Sequence, residues 1–377
     1  MLKRVYISNT NCITPIGFDV ATNCTHIENG ISGIQKHDDV NLMKVPFYGA
    51  VINTAELDTA FLKIAPDKNY TKLEKMMILA LYPMVEKAKI SNKTAFILST
   101  TKGNITALEN RNGNSIEKAQ LTNLAKTISD FFEFKSEPIV VSNACVSGIL
   151  AVAVAKRLIQ SGTYNNAFVV AGDLVSEFVS SGFNSFQAMS DAPCKPYSIN
   201  RTGVSLGEAA AAVLVTSDNK NAKMEIIGDG AINDANHISG PSRTGEGLFR
   251  SIQSAFAEAE ITSDKMDFIS AHGTATPFND EMEAIAFNRL GLENVPTNSL
   301  KGYYGHTLGA SGLLETVIGI ESVLQNKLFV SLGFDEMGVS QPINIIRKTE
   351  NKNCNYFLKT ASGFGGCNTA VVFKKAK

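Results

Sequence analysis

A chain of 377 residues can bury a large core, as two domains or as one built from two similar halves, and has no need of disulfide or metal staples. Its 35 Lys and Arg nearly cancel 36 Asp and Glu, so no overall field draws it onto nucleic acid or an anionic membrane. Six scattered cysteines without a CxxC pair, and no apolar run near the ~18 residues of a membrane span, predict reduced thiols in a cytoplasmic protein.

Arg4 to Ile7 reads as a first strand, closed by Asn-rich turn chemistry and Pro15-Ile16-Gly17, with Asp19 to Ile27 helical. Ser8-Asn9-Thr10 also interrupts the N-terminal apolar stretch before a signal core forms. Residues 30 to 70 show no sustained period. Between Lys72 and Lys87 apolar residues recur at helical spacing, and Thr94 to Leu98 is a compact apolar strand. Ser115 to Phe132 reads as an amphipathic helix. A β-branched strand behind Pro138 then meets Cys145 and the apolar helix Ile149 to Ile159, followed by a strand over Asn166 to Gly172. Ser180 to Arg201 reads as a surface excursion, and Gly207 to Thr216 as a buried strand.

From Met224 the pattern restarts, with a strand to Ile227, a helix from Gly247 to Glu260, a strand over Asp267 to Ala271 and a helix from Asp280 to Leu290. Pro296 to Ser299 then leads through Lys301 to His306 into the apolar helix Leu308 to Leu324, which echoes the segment around Cys145. Two similar halves, residues 1–220 and 221–377, imply an α/β protein with mostly parallel sheets, whose ligands gather at strand ends.

Cys145 lies where a strand passes into a helix, so unpaired amides and the positive dipole end favour its thiolate. Buried small hydrophobe is the bland alternative. Three segments of the second half bear on the choice: Ala271-His272-Gly273-Thr274-Ala275-Thr276-Pro277, Lys301 to His306, and Gly363-Phe364-Gly365-Gly366-Cys367-Asn368. Taken singly, each is compatible with a structural turn.

Taken together with Asn143 to Gly148 and the opening Arg4 to Gly17, these segments resemble, in order and spacing, the β-ketoacyl-[acyl carrier protein] synthases, condensing enzymes of the thiolase superfamily. The resemblance implies a thiolase-like fold, a layered α-β-α-β-α sandwich, and decarboxylative condensation of an acyl thioester with malonyl-acyl carrier protein. It implies Cys145 as nucleophile, His272 and His306 as donors to the malonyl carbonyl, and the amides of Cys145 and Phe364 as oxyanion hole. Lys301 would order the site with Glu315 as buried partner, Asp280 and Glu283 would stand behind it, and Thr274 and Thr276 would bond the pantetheine arm. Phe364 would gate the site, and Lys195, with Lys63, Lys68 and Lys72 behind it, would dock an acidic carrier protein. No resident cofactor or metal is implied, because phosphopantetheine arrives on the carrier.

The chain departs from the family pattern at Asn143, Val146, Val204 and Cys367, and over shortened stretches at 102–138 and 190–201. Such divergence suits aryl polyene or polyketide-like pathways as well as fatty acid synthesis. It is compatible with a homodimer, or with a heterodimer beside a chain-length-factor-like homologue. A non-catalytic or chain-length-setting partner subunit of a synthase heterodimer and a coenzyme A dependent thiolase-like enzyme are the alternatives.

Overall fold

The repeated pattern becomes one strand order used twice. The computed structural model describes residues 3–40, 42–66, 69–109, 116–236 and 238–377. The first half supplies β1 (Tyr6–Ile13), β2 (Thr94–Ser99), β3 (Ile139–Val141), β4 (Asn166–Asp173) and β5 (Ala209–Thr216). The second supplies β6 (Met224–Asn233), β7 (Phe268–Ser270), β8 (Thr297–Asn298), β9 (Tyr356–Gly363) and β10 (Cys367–Lys375). Among the described residues they form a 10-stranded sheet in the order β8-β7-β9-β10-β6-β1-β5-β4-β2-β3. Outward from the β1–β6 seam, each half runs first, fifth, fourth, second, third.

Within this sheet, among the described residues, parallel pairing is confined to β3-β2-β4 and β8-β7-β9. The pairs β1–β5, β5–β4, β6–β10 and β10–β9 are antiparallel, which corrects the expectation of mostly parallel sheets. The physical reason is plainest at β9 and β10: they are joined by a tight turn, and only antiparallel strands can be closed that way. β1 also runs on to Ile13, past the expected turn at Ser8. Its Asn11 amide donates to the carbonyls of Leu79 and Ala80, so a polar residue is satisfied inside the sheet.

The longer helices that complete the layers include α1 (Val20–Glu28), α2 (Lys72–Val85), α3 (Leu121–Phe131), α4 (Ser147–Gln160), α5 (Glu177–Ser185), α6 (Glu246–Ala259), α7 (Pro277–Arg289) and α8 (Ser311–Gln325). α4 and α8 pack on each other between the two half-sheets, α2 and α3 cover the outer face of the first, and α6 and α7 cover that of the second. This is the α-β-α-β-α sandwich. Burial on both sides explains why α4 and α8 lack a polar stripe, since each Val, Leu or Ile so buried contributes ~1.5–3 kcal/mol. Their approach depends on Gly148, where an added Cβ would lie 2.6 Å from the carbonyl of Gly309.

Residues 30 to 70 carry short strands at Gln35–His37 and Phe47–Ala50 and a helix at Thr54–Leu62, which no periodicity announced. The helix expected from Ser115 breaks at Gln120 into Ile116–Ala119 and α3, and Ser115 itself lies outside the described residues. The supposed excursion at 180–201 begins with α5, capped by Ser176. Among the described residues no helix is long and apolar enough to cross a membrane.

Candidate active site

Cys145 sits in the turn between β3 and α4, with Ala144 in the left-handed region at φ 43°. A non-glycine residue there costs roughly 1–2 kcal/mol. Two short bonds hold the turn: the Ser147 hydroxyl accepts from Asn143 N (2.7 Å) and donates to the Ala144 carbonyl (2.6 Å). No described side chain caps α4, and its first amide, Ser147 N, donates to the Ala144 carbonyl (3.3 Å). On the opposite wall, a Cβ at Gly363 would come within 2.9 Å of Cys145 N, so only glycine leaves that amide approachable. The Phe364 amide is directed at the Cys145 sulfur.

His306 reaches the same sulfur from the second half, with Nε2 3.1 Å from Cys145 Sγ. Its backbone is clamped by the Ser205 carbonyl and Gly207 N, and its Nδ1 meets Ser311 Oγ at 3.1 Å. His272 stands edge-on to His306, the ring centroids 5.2 Å apart and the planes at 84°. Its amide donates to Glu283 Oε1 (2.8 Å), and the Gly273 amide to Glu283 Oε2 (2.7 Å). Asp280 accepts from Thr274 N (3.0 Å) and Tyr197 N (2.7 Å). Spaced three apart on α7, the two carboxylates share one face and fold the His272 turn onto it.

Lys301, buried, donates to Glu315 Oε1 (2.7 Å) and to the His272 carbonyl, and lies 3.4 Å from His272 Nδ1. An ammonium can only donate, so Nδ1 accepts and the imidazole proton sits on Nε2. Behind this pair Lys359 contacts the other oxygen of Glu315 at 2.6 Å.

Burial pulls both imidazoles well below their ordinary range, with Lys301 adding to the effect, so both are neutral. Burial also pushes the Cys145 thiol up to about 12, Cys367 adding and Lys301 opposing. The expected thiolate is thus corrected: desolvation of the sulfur outweighs the partial charge of the helix end, and the resting pair is thiol and imidazole. Burial raises Asp280 to about 7. A raised carboxyl contributes stability that is present at acid pH and lost as pH rises from about 4 toward 7. Melting curves across that interval should therefore decline with pH, and the decline should be shallower in Asp280→Asn.

The three groups line a cavity of about 320 Å³ with Thr274, Thr276, Val204 and Phe364. The hydroxyls of Thr274 and Thr276 lie 2.9 Å apart, and Thr276 also caps α7. Phe364 packs on Phe183 and Phe186, each at 5.3 Å between centroids, so α5 supplies a wall that the sequence did not suggest. A more open groove of about 960 Å³ between Pro15 and Lys63 contains none of these groups, and its size says nothing about chemistry. Lys195 is partly exposed and ion-paired with Asp335 (3.2 Å), Lys72 is paired with Glu208 (2.6 Å), and Lys68 lies outside the described residues.

Three buried residues escaped the sequence reading. Tyr197 donates its hydroxyl to Glu283 at 2.9 Å. Asp173 accepts from Thr100 and Thr101 and from Gly309 N, tying the ends of β2 and β4 to the turn after His306. Lys359 left a signal that could have been used, a lysine in the middle of an apolar strand.

The family model described as beta-ketoacyl synthase, N-terminal domain, matches residues 2–221, and that for the C-terminal domain matches residues 224–335. The chain is 26% identical over 429 residues to a putative mitochondrial 3-oxoacyl-[acyl-carrier-protein] synthase of Schizosaccharomyces pombe, covering 99% of both. It is 25% identical over 416 residues to 3-oxoacyl-[acyl-carrier-protein] synthase 2 of Staphylococcus aureus, covering 99% of this chain and 98% of that protein. Among solved structures, the ketosynthase ApeO in complex with its chain length factor ApeC, from Xenorhabdus doucetiae, superposes with a TM-score of 0.89 at 22% identity, covering 99% and 98%.

Proposed function

Because the chain belongs to the beta-ketoacyl synthase family, we propose that it joins an acyl group carried on Cys145 to malonyl-acyl carrier protein, giving 3-oxoacyl-acyl carrier protein and carbon dioxide. It is an acyltransferase. The observation that carries the reading is the meeting of one sulfur and two neutral imidazoles in one cavity.

In the first half-reaction the sulfur attacks the carrier thioester. Its proton passes to His306 Nε2 and then to the departing pantetheine sulfur. The tetrahedral oxyanion meets the amides of Cys145 and Phe364, and one such donor is typically worth ~3 kcal/mol. In the second half-reaction the malonyl carboxylate leaves as carbon dioxide, and its bonding electrons spread onto the thioester oxygen as an enolate. His272 offers Nε2–H to that oxygen. His306 can offer the same, because the Ser311 hydroxyl can turn from acceptor to donor and move the imidazole proton to Nε2. The carbanion then attacks the acyl carbonyl and expels the Cys145 sulfur, which takes a proton back from water.

No resident cofactor takes part in this scheme, since the pantetheine belongs to the carrier. The proposed setting is the cytoplasm, in fatty acid, aryl polyene or polyketide assembly. A second synthase subunit, identical or a chain-length-factor-like homologue, is proposed to pair along β3. This strand ends the sheet among the described residues and leaves Ile139 and Val140 only partly covered. Acyl-carrier protein, then malonyl-carrier protein, should first add one acyl mass to Cys145 and then release a 3-oxoacyl product. No adduct, alone or with a partner, would favour a non-catalytic subunit, and acylation by coenzyme A thioesters only would favour a thiolase-like enzyme.

A further inference from the structure

We propose that Lys359 is a positioning residue for His272, a tethered internal cation that holds the strand end from which this imidazole projects. This role rests on the reading of His272 as donor to the malonyl enolate. Lys359 stands in the middle of β9, fully buried between Leu358 and Thr360. Its ammonium donates to the carbonyls of Ser270 (3.0 Å) and Ala271 (3.1 Å) and is ion-paired with Glu315 Oε2 (2.6 Å).

The placement of these oxygens gives the role. Ser270 and Ala271 immediately precede His272, whose own carbonyl is held by Lys301. Three successive carbonyls are thus drawn inward by two ammoniums, and the two share the single carboxylate of Glu315. Two carbonyls and a carboxylate are also the oxygen set that a hard cation accepts, so Lys359 does here what a bound ion would do. Being covalently attached, it cannot wash out. Burial lowers the Lys359 ammonium from its ordinary range, and Glu315 opposes that effect. The carboxylates of Glu315 and Glu283 thus face the two ammoniums around the turn that carries His272.

Two substitutions test this. Lys359→Met keeps the length without the charge, and its condensation should fall about 10²-fold, the cost of a misplaced catalytic group. The loss should appear in kcat, while Cys145 acylation, which uses His306, stays at the wild-type rate. Lys359→Ala opens a cavity around the same oxygens, so ethylammonium or potassium ion should raise its melting temperature, or be required for folding, and should partly restore condensation. The wild-type melt should not respond. Unchanged condensation in Lys359→Met, or a Lys359→Ala protein that neither cation stabilises, would overturn the proposal. Should the wild type fail to condense at all, the enzymatic reading falls, but the melting response of Lys359→Ala still decides whether these oxygens form a cation cage.

Discussion

Cys145→Ala is expected to lose the acyl adduct and to condense more slowly by on the order of 10⁴-fold or more, while still releasing carbon dioxide from malonyl-carrier protein. The split follows from where the sulfur sits. Cys145 Sγ touches His306 Nε2, whereas His272 and its supports from Glu283 and Lys301 make no contact that passes through the sulfur. Alanine removes the nucleophile and leaves His306 free to carry its proton on Nε2. Cys367, at the start of β10, does not substitute, because its thiol is turned toward the Phe364 carbonyl (3.4 Å) and away from the cavity. Wild-type acylation carries a further signature. With the thiol at about 12 and His306 already neutral, transfer runs through the imidazole and should be nearly flat with pH over the neutral range. An exposed cysteine acting through free thiolate would instead climb toward its ordinary pKa near ~8.5. Intact mass for the adduct and carbon dioxide release for the other half-reaction separate the two steps. Condensation by Cys145→Ala at the wild-type rate would end the assignment.

The groups that touch the cavity were visible before any coordinates because each sits in a turn with its own punctuation. His272 is followed by Gly273, His306 is preceded by Gly305, and Phe364 is followed by Gly365, all three glycines having positive φ. Turn chemistry is local, so a sequence displays it. The supports behind those groups were less visible, since they are defined by what the fold brings near. Tyr197 belongs to a stretch that looked like surface and meets Glu283 only because α7 passes beneath it. Asp173 closes a strand as any aspartate could, and its work becomes apparent when Gly309 arrives from the other half. The direction of the Cys145 shift was misjudged for the same reason. A helix end can be read along the chain, but burial is a property of the whole molecule.

Glu315→Gln is expected to be the most damaging change to stability, at roughly 3–5 kcal/mol, the usual cost of leaving a buried charge without its partner. Here the cost falls on two charges. Lys301 Nζ and Lys359 Nζ lie 2.7 and 2.6 Å from the two oxygens of one carboxylate that is almost fully buried. A neutral amide presents one acceptor in place of two charged ones, and its NH₂ group must face an ammonium. The pH dependence gives the sign. Glu315 raises Lys359 in the native protein against the lowering by burial, so its removal depresses the folded-state pKa further. A base depressed on folding binds fewer protons in the folded state than in the unfolded one, so stability rises with pH up to the ordinary lysine range near ~10.4. Denaturation of Glu315→Gln should therefore be least cooperative and earliest in acid, and should move back toward the wild-type curve in alkali. A variant whose deficit is constant with pH would mean that the two ammoniums do not depend on this carboxylate. Lys301 would then have to be held over His272 by the carbonyl and Nδ1 of that residue alone.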